Sequence, residues 1–481
     1  MQEKIIESIM QVLWDAPLIF AILLTGFYFT IENRFFQIRY PRHLFRKILE
    51  SIMVKKDKDS KGSLFSFEAA NIAIGSTVGI GSIGGVATAI AIGGPGAVFW
   101  MWIAAFVGMI IKTAEITLAI YYRDSDEEGN VYGGPIQYIE KGIGEEMNFK
   151  WWAFPAVLFG ICLISTIFIS IQNYIASNAI SITFKQNIFA VSLTYAILVF
   201  FMTRYGITFL GKISKIIVPI MTLSYIVLGL IILSINIDQI IPLFEYIVKN
   251  AFLGTSALGG FAGATISHAI TAGVSQAVYS SEFGWGTSPM IHSTAKVNHP
   301  VKQGLWGGVE VFLTTIVICS ITAFVILLSG KWTSVGSGID LALQSFESIL
   351  GISGKYIITI ILFFFALTTS TGWYSYSEII IRNLLKKKPN LKNTILKYLK
   401  VFYAFPEFLF VVYVTTFHLP DKYVWFMTEI TVAIPTIINI FALLILSNKF
   451  KKLLSDYKMR YLKIGKTDEE DLFYEKKREP M

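Results

Sequence analysis

Apolar stretches of about 20 residues recur along the whole chain, and they constrain its fold more than any other feature. At 1.5 Å per residue, such a stretch matches a hydrocarbon core of roughly 30 Å, so each is predicted to form a membrane-spanning helix. Only 15% of the residues are charged, whereas soluble domains have roughly 25%. The sequence therefore predicts an all-α polytopic membrane protein embedded in a lipid bilayer, and it excludes a soluble enzyme.

Eleven membrane spans are predicted from the apolar runs that are bounded by charged residues, glycine or proline. These spans cover residues 14–30, 67–92, 97–122, 151–171, 188–202, 213–235, 255–279, 304–328, 356–381, 398–417 and 424–446. Because the number of spans is odd, the two termini are expected on opposite sides of the membrane.

The basic residues are distributed unevenly between the two faces of this topology. Of the 41 Lys and Arg residues, 34 lie on one face. By the positive-inside rule that face is cytoplasmic, so the N-terminus is predicted outside the cell membrane and the C-terminus inside. Topology thus accounts for the net charge of +8, and no nucleic-acid partner is predicted.

The spans divide the chain into four segments. Residues 1–66 hold the external N-terminus, the first span and a basic cytoplasmic loop. Residues 67–235 and 255–447 hold five spans each, and residues 448–481 form a charged cytoplasmic tail. Since five is odd, the second set of five spans runs through the membrane in the opposite sense to the first.

Glycines are concentrated in the second and seventh spans, the two that open these sets of five. They are Gly75, Gly79, Gly81, Gly84 and Gly85 in the second span, and Gly254, Gly259, Gly260, Gly263 and Gly273 in the seventh. Each disfavours a helix interior by about 1 kcal/mol relative to Ala, so these spans either leave the helical path or pack closely through small residues. Glycine-interrupted spans at matching positions of inverted halves indicate the midplane site of a secondary transporter. We predict unwound stretches at 78–84 and 260–267.

Unwound backbone presents N–H groups to an anion and carbonyl groups to a cation where water is absent. Ser267 and His268 lie near the second predicted stretch, and His268 is either a proton-coupling group or an ordinary hydrogen-bonded histidine. Thr368 and Thr369 in the ninth span have hydroxyl oxygens that suit an alkali cation. The alternative is that these hydroxyls bond only to carbonyl groups of their own helix.

A few charged residues fall inside predicted spans. Lys112 and Glu115 are three residues apart, so an ion pair between them is expected to lower the cost of insertion. Glu310 is interpreted as a structural hydrogen-bonding group, with a gate or proton site as the alternative. No intramembrane acid–base pair or metal-ligand cluster is recognised, so neither an enzyme nor a bound cofactor is predicted.

Four blocks of sequence resemble the alanine or glycine:cation symporter family, also called the sodium:alanine symporters. The resemblance extends from about Trp14 to beyond the ninth span. The blocks contain Gly93-Gly94-Pro95-Gly96, Tyr132-Gly133-Gly134-Pro135, Phe261-Ala262-Gly263-Ala264-Thr265 and Ser281-Glu282-Phe283-Gly284-Trp285-Gly286.

This resemblance implies a leucine-transporter-like fold, with a 5+5 inverted repeat preceded by one extra helix. It also implies sodium-coupled uptake of small neutral amino acids, of the alanine or glycine type, by alternating access. The substrate-binding positions carried over are Ile80, Gly81, Ser82, Phe261, Thr265, Ser267, His268, Gly372 and Trp373. The sodium-binding positions carried over are Gly75, Val78, Thr368 and Thr369.

Three of the departures from the family pattern bear on cation binding. Members usually have Thr-Gly-Asn where this chain has Ile80-Gly81-Ser82, and usually Asp where this chain has Thr314. Asn and Asp are better cation ligands, so a second, substrate-adjacent sodium site is disfavoured. Two alternatives stay open: a proton-coupled or uncoupled transporter of another small solute, and a sensor that binds its substrate without moving it.

Overall fold

The structure is a computed structural model, and it describes residues 16–53, 63–169, 171–253, 266–333, 336, 338–419 and 421–465. Its regular structure is almost entirely helical, as the composition predicts.

The helices of the first half of the chain alternate between long apolar rods and short connecting segments. They are α1 (Ala16–Glu32), α2 (Phe36–Arg39), α3 (Pro41–Met53), α4 (Ser66–Thr77), α5 (Gly84–Gly93), α6 (Gly96–Tyr121), α7 (Pro135–Tyr138), α8 (Ala153–Ser165), α9 (Ile171–Phe184), α10 (Ile188–Thr203), α11 (Ile207–Ile235) and α12 (Ile237–Leu253). The chain also winds into a 3-10 turn at Ile80–Ser82, a π-helix at Ile139–Glu145 and a 3-10 turn at Thr166–Phe168.

The second half has a similar alternation. Its helices are α13 (Ile266–Ser281), α14 (Ser288–Ser293), α15 (Pro300–Val311), α16 (Ser320–Ser329), α17 (Gly338–Leu384), α18 (Pro389–Phe402), α19 (Ala404–Thr416), α20 (Asp421–Ile445) and α21 (Ser447–Tyr457). A π-helix at Phe312–Cys319 joins α15 to α16, and α17 bends at Gly351, where φ is +68°.

Every predicted span coincides with one or more of these helices. Within the described residues, five helices are long and apolar enough to cross a membrane, or six when one bent pair is counted as a single span. The five are Gly96–Tyr121, Ala153–Phe184, Ile207–Ile235, Pro300–Ser329 and Gly338–Leu384. Several others are shorter apolar helices, so the total of eleven spans stays a prediction.

The first predicted interruption is confirmed. Helix α4 ends at Thr77, the backbone is extended at Gly79, and α5 begins only at Gly84 after the short 3-10 turn. The two half-helices therefore end and begin within the interior of the protein, where their terminal carbonyl and amide groups face other residues rather than bulk water.

A second interruption follows α13, in a segment that was not predicted to unwind. Ile266 and Ser267 are helical, and α13 runs without a break to Ser281; residues 260–265 lie outside the described residues. The chain instead leaves the helical path at Glu282, Gly284 and Gly286, where φ is +51°, +86° and +77°, before α14 begins at Ser288. Two glycines at positive φ explain why this segment cannot continue the helix.

Two short strands join the outer ends of the interrupted helices. Strand β1 (Leu64–Phe65) directly precedes α4, and strand β4 (Ala295–Lys296) follows α14. The two strands pair in parallel, with Leu64 opposite Ala295. A separate antiparallel pair, β2 (Asp124–Ser125) with β3 (Val131–Tyr132), lies in the loop after α6.

A network of ion pairs fastens this loop to α17 and α18. Arg382 pairs with Asp126 at 2.6 Å and with Glu378 at 2.8 Å, while Lys392 lies 3.5 Å from Asp126. Burial acts to raise the pKa of Asp126, but hydrogen bonds from Asn130 and the two cations outweigh it, so the pKa lies below its ordinary value. The carboxylate is therefore ionised at neutral pH and holds both helices.

Candidate functional site

A cavity of about 50 Å³ lies where the two interrupted helices meet α17. A single water molecule needs roughly 10–15 Å³ by the same measure, so the cavity has room for a few waters or one small solute. It is lined by Ser76, Thr77, Gly79, Gly81, Thr166, Ile167, Ile169, Ile171, Gln172, Tyr279, Glu282, Trp285, Thr369, Ser370, Trp373, Tyr403 and Glu407.

Glycine is required in the first interruption because other groups approach its backbone closely. A Cβ atom on Gly79 would lie 2.6 Å from the Thr369 hydroxyl oxygen, and one on Gly81 would lie 2.8 Å from Cδ1 of Tyr279. Nε2 of Gln276 donates a hydrogen bond of 2.8 Å to the Gly81 carbonyl oxygen. The interruption is thus a place where bare peptide groups meet side chains of α13 and α17.

The predicted cation ligands Gly75, Thr368 and Thr369 come together where α4 packs against α17. Oγ1 of Thr369 lies 3.3 Å from the Gly75 carbonyl oxygen, and a Cβ on Gly75 would lie 3.6 Å from Oγ1 of Thr368. Val78 is fully buried at the end of α4, one residue before the Gly79 backbone that contacts Thr369.

Both interpretations of the threonine hydroxyls are compatible with these contacts. Thr368 and Thr369 donate to the Phe365 carbonyl oxygen at 3.0 and 2.9 Å, so each bonds back to its own helix. A hydroxyl has one proton but two acceptor lone pairs. The Thr369 hydroxyl also lies within hydrogen-bonding distance of the Gly75 carbonyl oxygen, and the acceptor lone pairs of both threonines remain for a cation.

Five of the predicted substrate-binding residues lie at or beside the cavity. Gly81 and Trp373 line it, and Ile80 and Ser82 are buried in the same interrupted segment. Gly372 brings α17 against α4 so closely that a Cβ there would overlap Ser76.

Two of the other predicted substrate-binding residues, Ser267 and His268, do not line the cavity. Phe261 and Thr265 lie outside the described residues. Ser267 and His268 are exposed on the first turn of α13, beside Gly93 at the far end of α5. Because α13 is unbroken, about 22 Å of helix separates Ser267 from the interruption at Glu282.

Several cavity residues were missed by the sequence reasoning. Gln276 and Tyr279 reach the first interruption from the last two turns of α13, Gln172 comes from α9, and Glu407 comes from α19. Their helices pack together only in the tertiary fold, so no spacing in the sequence links them. Glu282 could have been found from the Gly284 and Gly286 that follow it.

A buried ionic network lies beside the cavity, and it corrects the predicted Lys112–Glu115 pair. Lys112 pairs with Glu310 at 3.1 Å, and both side chains are fully buried. Lys112 also donates to the Ser281 carbonyl oxygen at the end of α13. Lys112 thus connects α6 to α13 and α15, because a partner across the helix interface lies closer than the carboxylate on its own helix.

Glu310 is hydrogen-bonded to three residues from two helices, α4 and α14. Ser288 of α14 donates at 2.8 Å, Thr77 at the end of α4 donates at 3.2 Å, and Nε2 of His292 lies at 3.3 Å. Glu310 therefore links the inner ends of both interrupted helices, in agreement with the structural interpretation.

Glu115 instead supports the second interruption. One of its carboxylate oxygens accepts hydrogen bonds from the Gly286 amide, at 3.1 Å, and from the Asn439 side chain. Asn439 in turn donates to the Gly284 carbonyl oxygen at 2.8 Å. These contacts satisfy peptide groups that the helix leaves unpaired.

The positions that depart from the family pattern are engaged in protein contacts. Thr314 donates to the Glu310 carbonyl oxygen at 2.8 Å within its own helix. The Ser82 carbonyl oxygen accepts from Thr322 at 2.8 Å, and the Ser82 side chain is fully buried. Neither side chain supplies the carboxylate or amide oxygen that the family pattern has at its position.

The cavity lining has an acidic balance. Two of its residues, Glu282 and Glu407, carry carboxylates, and none of the described residues that line it is Lys, Arg or His. Glu282 accepts hydrogen bonds from Thr287 at 2.6 Å and Tyr376 at 3.3 Å. The arrangement suits a small solute that carries positive charge or enters together with a cation.

Comparisons with known proteins agree with this picture of a small-solute site in a helical membrane protein. A family profile described as the sodium:alanine symporter family matches residues 1–472. The uncharacterized transporter YflA of Bacillus subtilis is 33% identical over 481 residues, which cover 97% of each chain. The sodium/alanine symporter AgcS of Methanococcus maripaludis is 36% identical over 390 residues, covering 80% of this chain and 84% of its own.

A solved structure shares the fold. The manganese transporter of Eremococcus coleocola matches with a TM-score of 0.51 at 13% identity, covering 85% of this chain and 82% of its own. At that identity the likeness shows a membrane-transporter fold and nothing about the substrate.

Proposed function

The chain belongs to the sodium:alanine symporter family, and on that premise we propose that it imports small neutral amino acids together with sodium by alternating access. The proposal is carried by one observation. An interrupted helix, α4–α5, faces the threonine hydroxyls of α17 across its backbone and opens onto a cavity the size of a small solute.

The roles of individual residues follow from their positions. The substrate carboxylate is proposed to bind backbone amides near Ile80, Gly81 and Ser82, at the start of α5, where the helix dipole favours an anion. Trp373 and Gly372 shape the opposite wall, together with Gln276 and Tyr279. Phe261 and Thr265 stay predicted pocket residues, and we leave out Ser267 and His268 because the described structure places them at the far end of α5.

Sodium is proposed to bind carbonyl groups of Gly75 and Val78 and hydroxyls of Thr368 and Thr369. A cation there would fix α4 and α17 in the geometry that binds substrate. Binding of each species would then favour binding of the other, with a reciprocal coupling of about 1 to 3 kcal/mol. No second sodium beside the substrate is proposed, because Ser82 and Thr314 replace the usual ligands.

The membrane arrangement is proposed as predicted from the sequence. Eleven spans would comprise one extra helix followed by inverted repeats at 67–235 and 255–447, in a leucine-transporter-like fold. The N-terminus would lie outside the cell and the tail, 448–481, in the cytoplasm.

Uptake by purified protein in liposomes tests the function. We expect labelled alanine or glycine to accumulate when sodium is high outside, and to stop accumulating when choline replaces sodium. Accumulation that ignores the sodium gradient but is abolished by a proton uncoupler would overturn sodium coupling. Tight binding without any flux would instead favour the sensor.

A further inference from the structure

One carboxylate in the cavity has an unused oxygen. Glu407 lies in the first turn of α19, and only 3% of the residue is exposed. The Ser370 hydroxyl of α17 hydrogen-bonds to this carboxylate. Its Oε2 atom has no hydrogen-bonding partner among the described residues, although Glu407 lines the cavity.

The groups packed around Glu407 are polar but carry no positive charge. Oη of Tyr195, from α10, lies 2.9 Å from Oγ of Ser370, and Oη of Tyr403 donates to the Ser370 carbonyl oxygen at 2.8 Å. The other carboxylate among the described residues that line the cavity is Glu282. No ion pair to Glu407 is found in the described part of the chain.

A comparison with Glu310 shows what is missing at Glu407. Glu310 is equally buried, but Lys112 lies 3.1 Å away and supplies the compensating charge. An ionised carboxylate at such depth needs a positive partner, because its charge is not solvated there. Because Glu407 lines the cavity, a positive partner can reach it from there.

We propose that Glu407 is a cation subsite of the transport cavity, whose free carboxylate oxygen binds a monovalent positive group that arrives with the cargo. This proposal rests on the proposed function and extends it. The positive group is either the ammonium group of the amino acid or a co-transported metal cation, and both present the same chemistry to Oε2. Ser370 directly follows Thr369, so the subsite adjoins the proposed sodium site.

The experiment compares E407Q with wild type and with Y195F. The glutamine keeps the shape of the side chain and removes its charge. Y195F removes the hydrogen bond to Ser370 but leaves the Glu407 charge, so it reports a merely structural role for this cluster. The half-saturation constants for sodium and for the amino acid are measured by uptake. Thermal unfolding of the purified protein is measured separately with added sodium chloride, ethylammonium chloride or alanine, and choline chloride serves as the reference.

We expect E407Q to raise one of these constants by about 10- to 100-fold, as for the loss of a charge-assisted hydrogen bond. A rise confined to the sodium constant identifies the metal cation, and a rise confined to the amino-acid constant identifies the ammonium group. Y195F should shift either constant by less than about threefold. If E407Q leaves both constants within about twofold of wild type, or if Y195F shifts them equally, the subsite is overturned.

Two further measurements keep the outcome decisive. If E407Q does not fold, E407D is used, since withdrawing the carboxylate by one methylene should still weaken cation binding several-fold; an unchanged constant overturns the proposal. The thermal assay does not depend on transport. Cation stabilisation that is lost in E407Q supports the subsite even if uptake of neutral amino acids fails, whereas wild-type protein that none of these cations stabilises overturns it.

Discussion

At the scale of single residues, the site depends on glycines that allow helices to approach each other. Gly372 places α17 against Ser76 of α4. At Gly79, a Cβ atom would lie only 2.6 Å from the Thr369 hydroxyl oxygen. The small residue is needed in both places because the neighbouring helix occupies the space that a Cβ would take.

The first prediction tests this close approach. G372A is expected to push α17 away from α4, to lower the free energy of unfolding by about 1–3 kcal/mol, and to abolish sodium-dependent uptake. G308A is the matched control, because a Cβ on Gly308 of α15 would meet nothing nearer than Oγ1 of Thr113, at 3.6 Å. Thermal unfolding and uptake are measured for both; equal behaviour of the two variants would contradict the argument.

The second prediction concerns the proposed sodium ligands. The T368V/T369V double variant keeps the side-chain shape but removes both hydroxyls, so the sodium concentration for half-maximal uptake should rise about tenfold or more. T359V on the same helix is the control, because the hydroxyl of Thr359 contacts Thr183 at 3.0 Å rather than the cavity. Unchanged sodium affinity in the double variant would refute the assignment.

Residues of the site could be predicted from the sequence only where the residue type itself disfavours a regular helix. Gly79 and Gly81 stand out because glycine is unfavourable within a helix, and the structure places both at the cavity. Gln276 and Glu407 have no such signal, since any polar residue in a span can be satisfied locally. What makes them notable is the neighbour each one meets after folding.

At the scale of helices, one buried ion pair, between α6 and α15, contacts the helix ends at both interruptions. Lys112 and Glu310 are fully buried, and they contact the ends of α13, α14 and α4. Removing one partner leaves an uncompensated charge in the interior, while removing both leaves none.

The third prediction follows from that asymmetry. E310M alone should lower the free energy of unfolding by roughly 3–5 kcal/mol, whereas K112M/E310M should recover much of the loss. E32Q, which removes the partner of Lys451 in a pair that is partly exposed on both sides, should leave the melting temperature nearly unchanged. The measurement is thermal unfolding in detergent, and a double variant no more stable than E310M would contradict the pairing.

The two interruptions differ in how far the sequence predicts them. The first is marked by glycines inside an otherwise apolar run, so both its existence and its position follow from helix propensity. For the second, the prediction rested on the denser glycines before Ile266, which lie outside the described residues, and it missed the break at 282–287. A helix followed at once by Gly284 and Gly286, with Pro289 shortly after, is the pattern that indicates the break.

At the scale of the whole molecule, the β1–β4 pair ties together the outer ends of the two interrupted helices. Leu64 and Ala295 are direct partners in this pair, and the Ser63 amide donates to the Thr294 carbonyl oxygen at 2.9 Å. If access to the cavity from this side requires the interrupted helices to separate, these strands have to part.

The fourth prediction is a reversible block of transport. In a variant whose native cysteines are replaced by C162S and C319A, oxidation of L64C/A295C should cross-link the strands and stop uptake, and reduction should restore it. The S125C/V131C pair, in the neighbouring β2–β3 strands, should cross-link without stopping uptake. Full transport by the oxidised L64C/A295C protein would show that the strands stay paired throughout the cycle.

The apolar helices could be predicted from the sequence better than the segments that connect them. Apolar run length indicates the positions of the helices, because a run that spans lipid has to satisfy its backbone within a helix. The helices α3, α12 and α21 were missed, since a helix lying outside the predicted spans carries no length signal. The helix α9 was also missed, since it begins at Ile171, where the fourth predicted span ends, and runs to Phe184.

The paired dipeptides Leu64–Phe65 and Ala295–Lys296 have one further consequence. When they separate, each leaves a short row of unsatisfied amide and carbonyl groups that exists in no other stage of the cycle. An extended peptide mimic could dock on that transient edge by strand addition and arrest the carrier in mid-turnover. Inhibition would then grow with the time the carrier spends in that stage, and it would vanish when the two strands are linked beforehand.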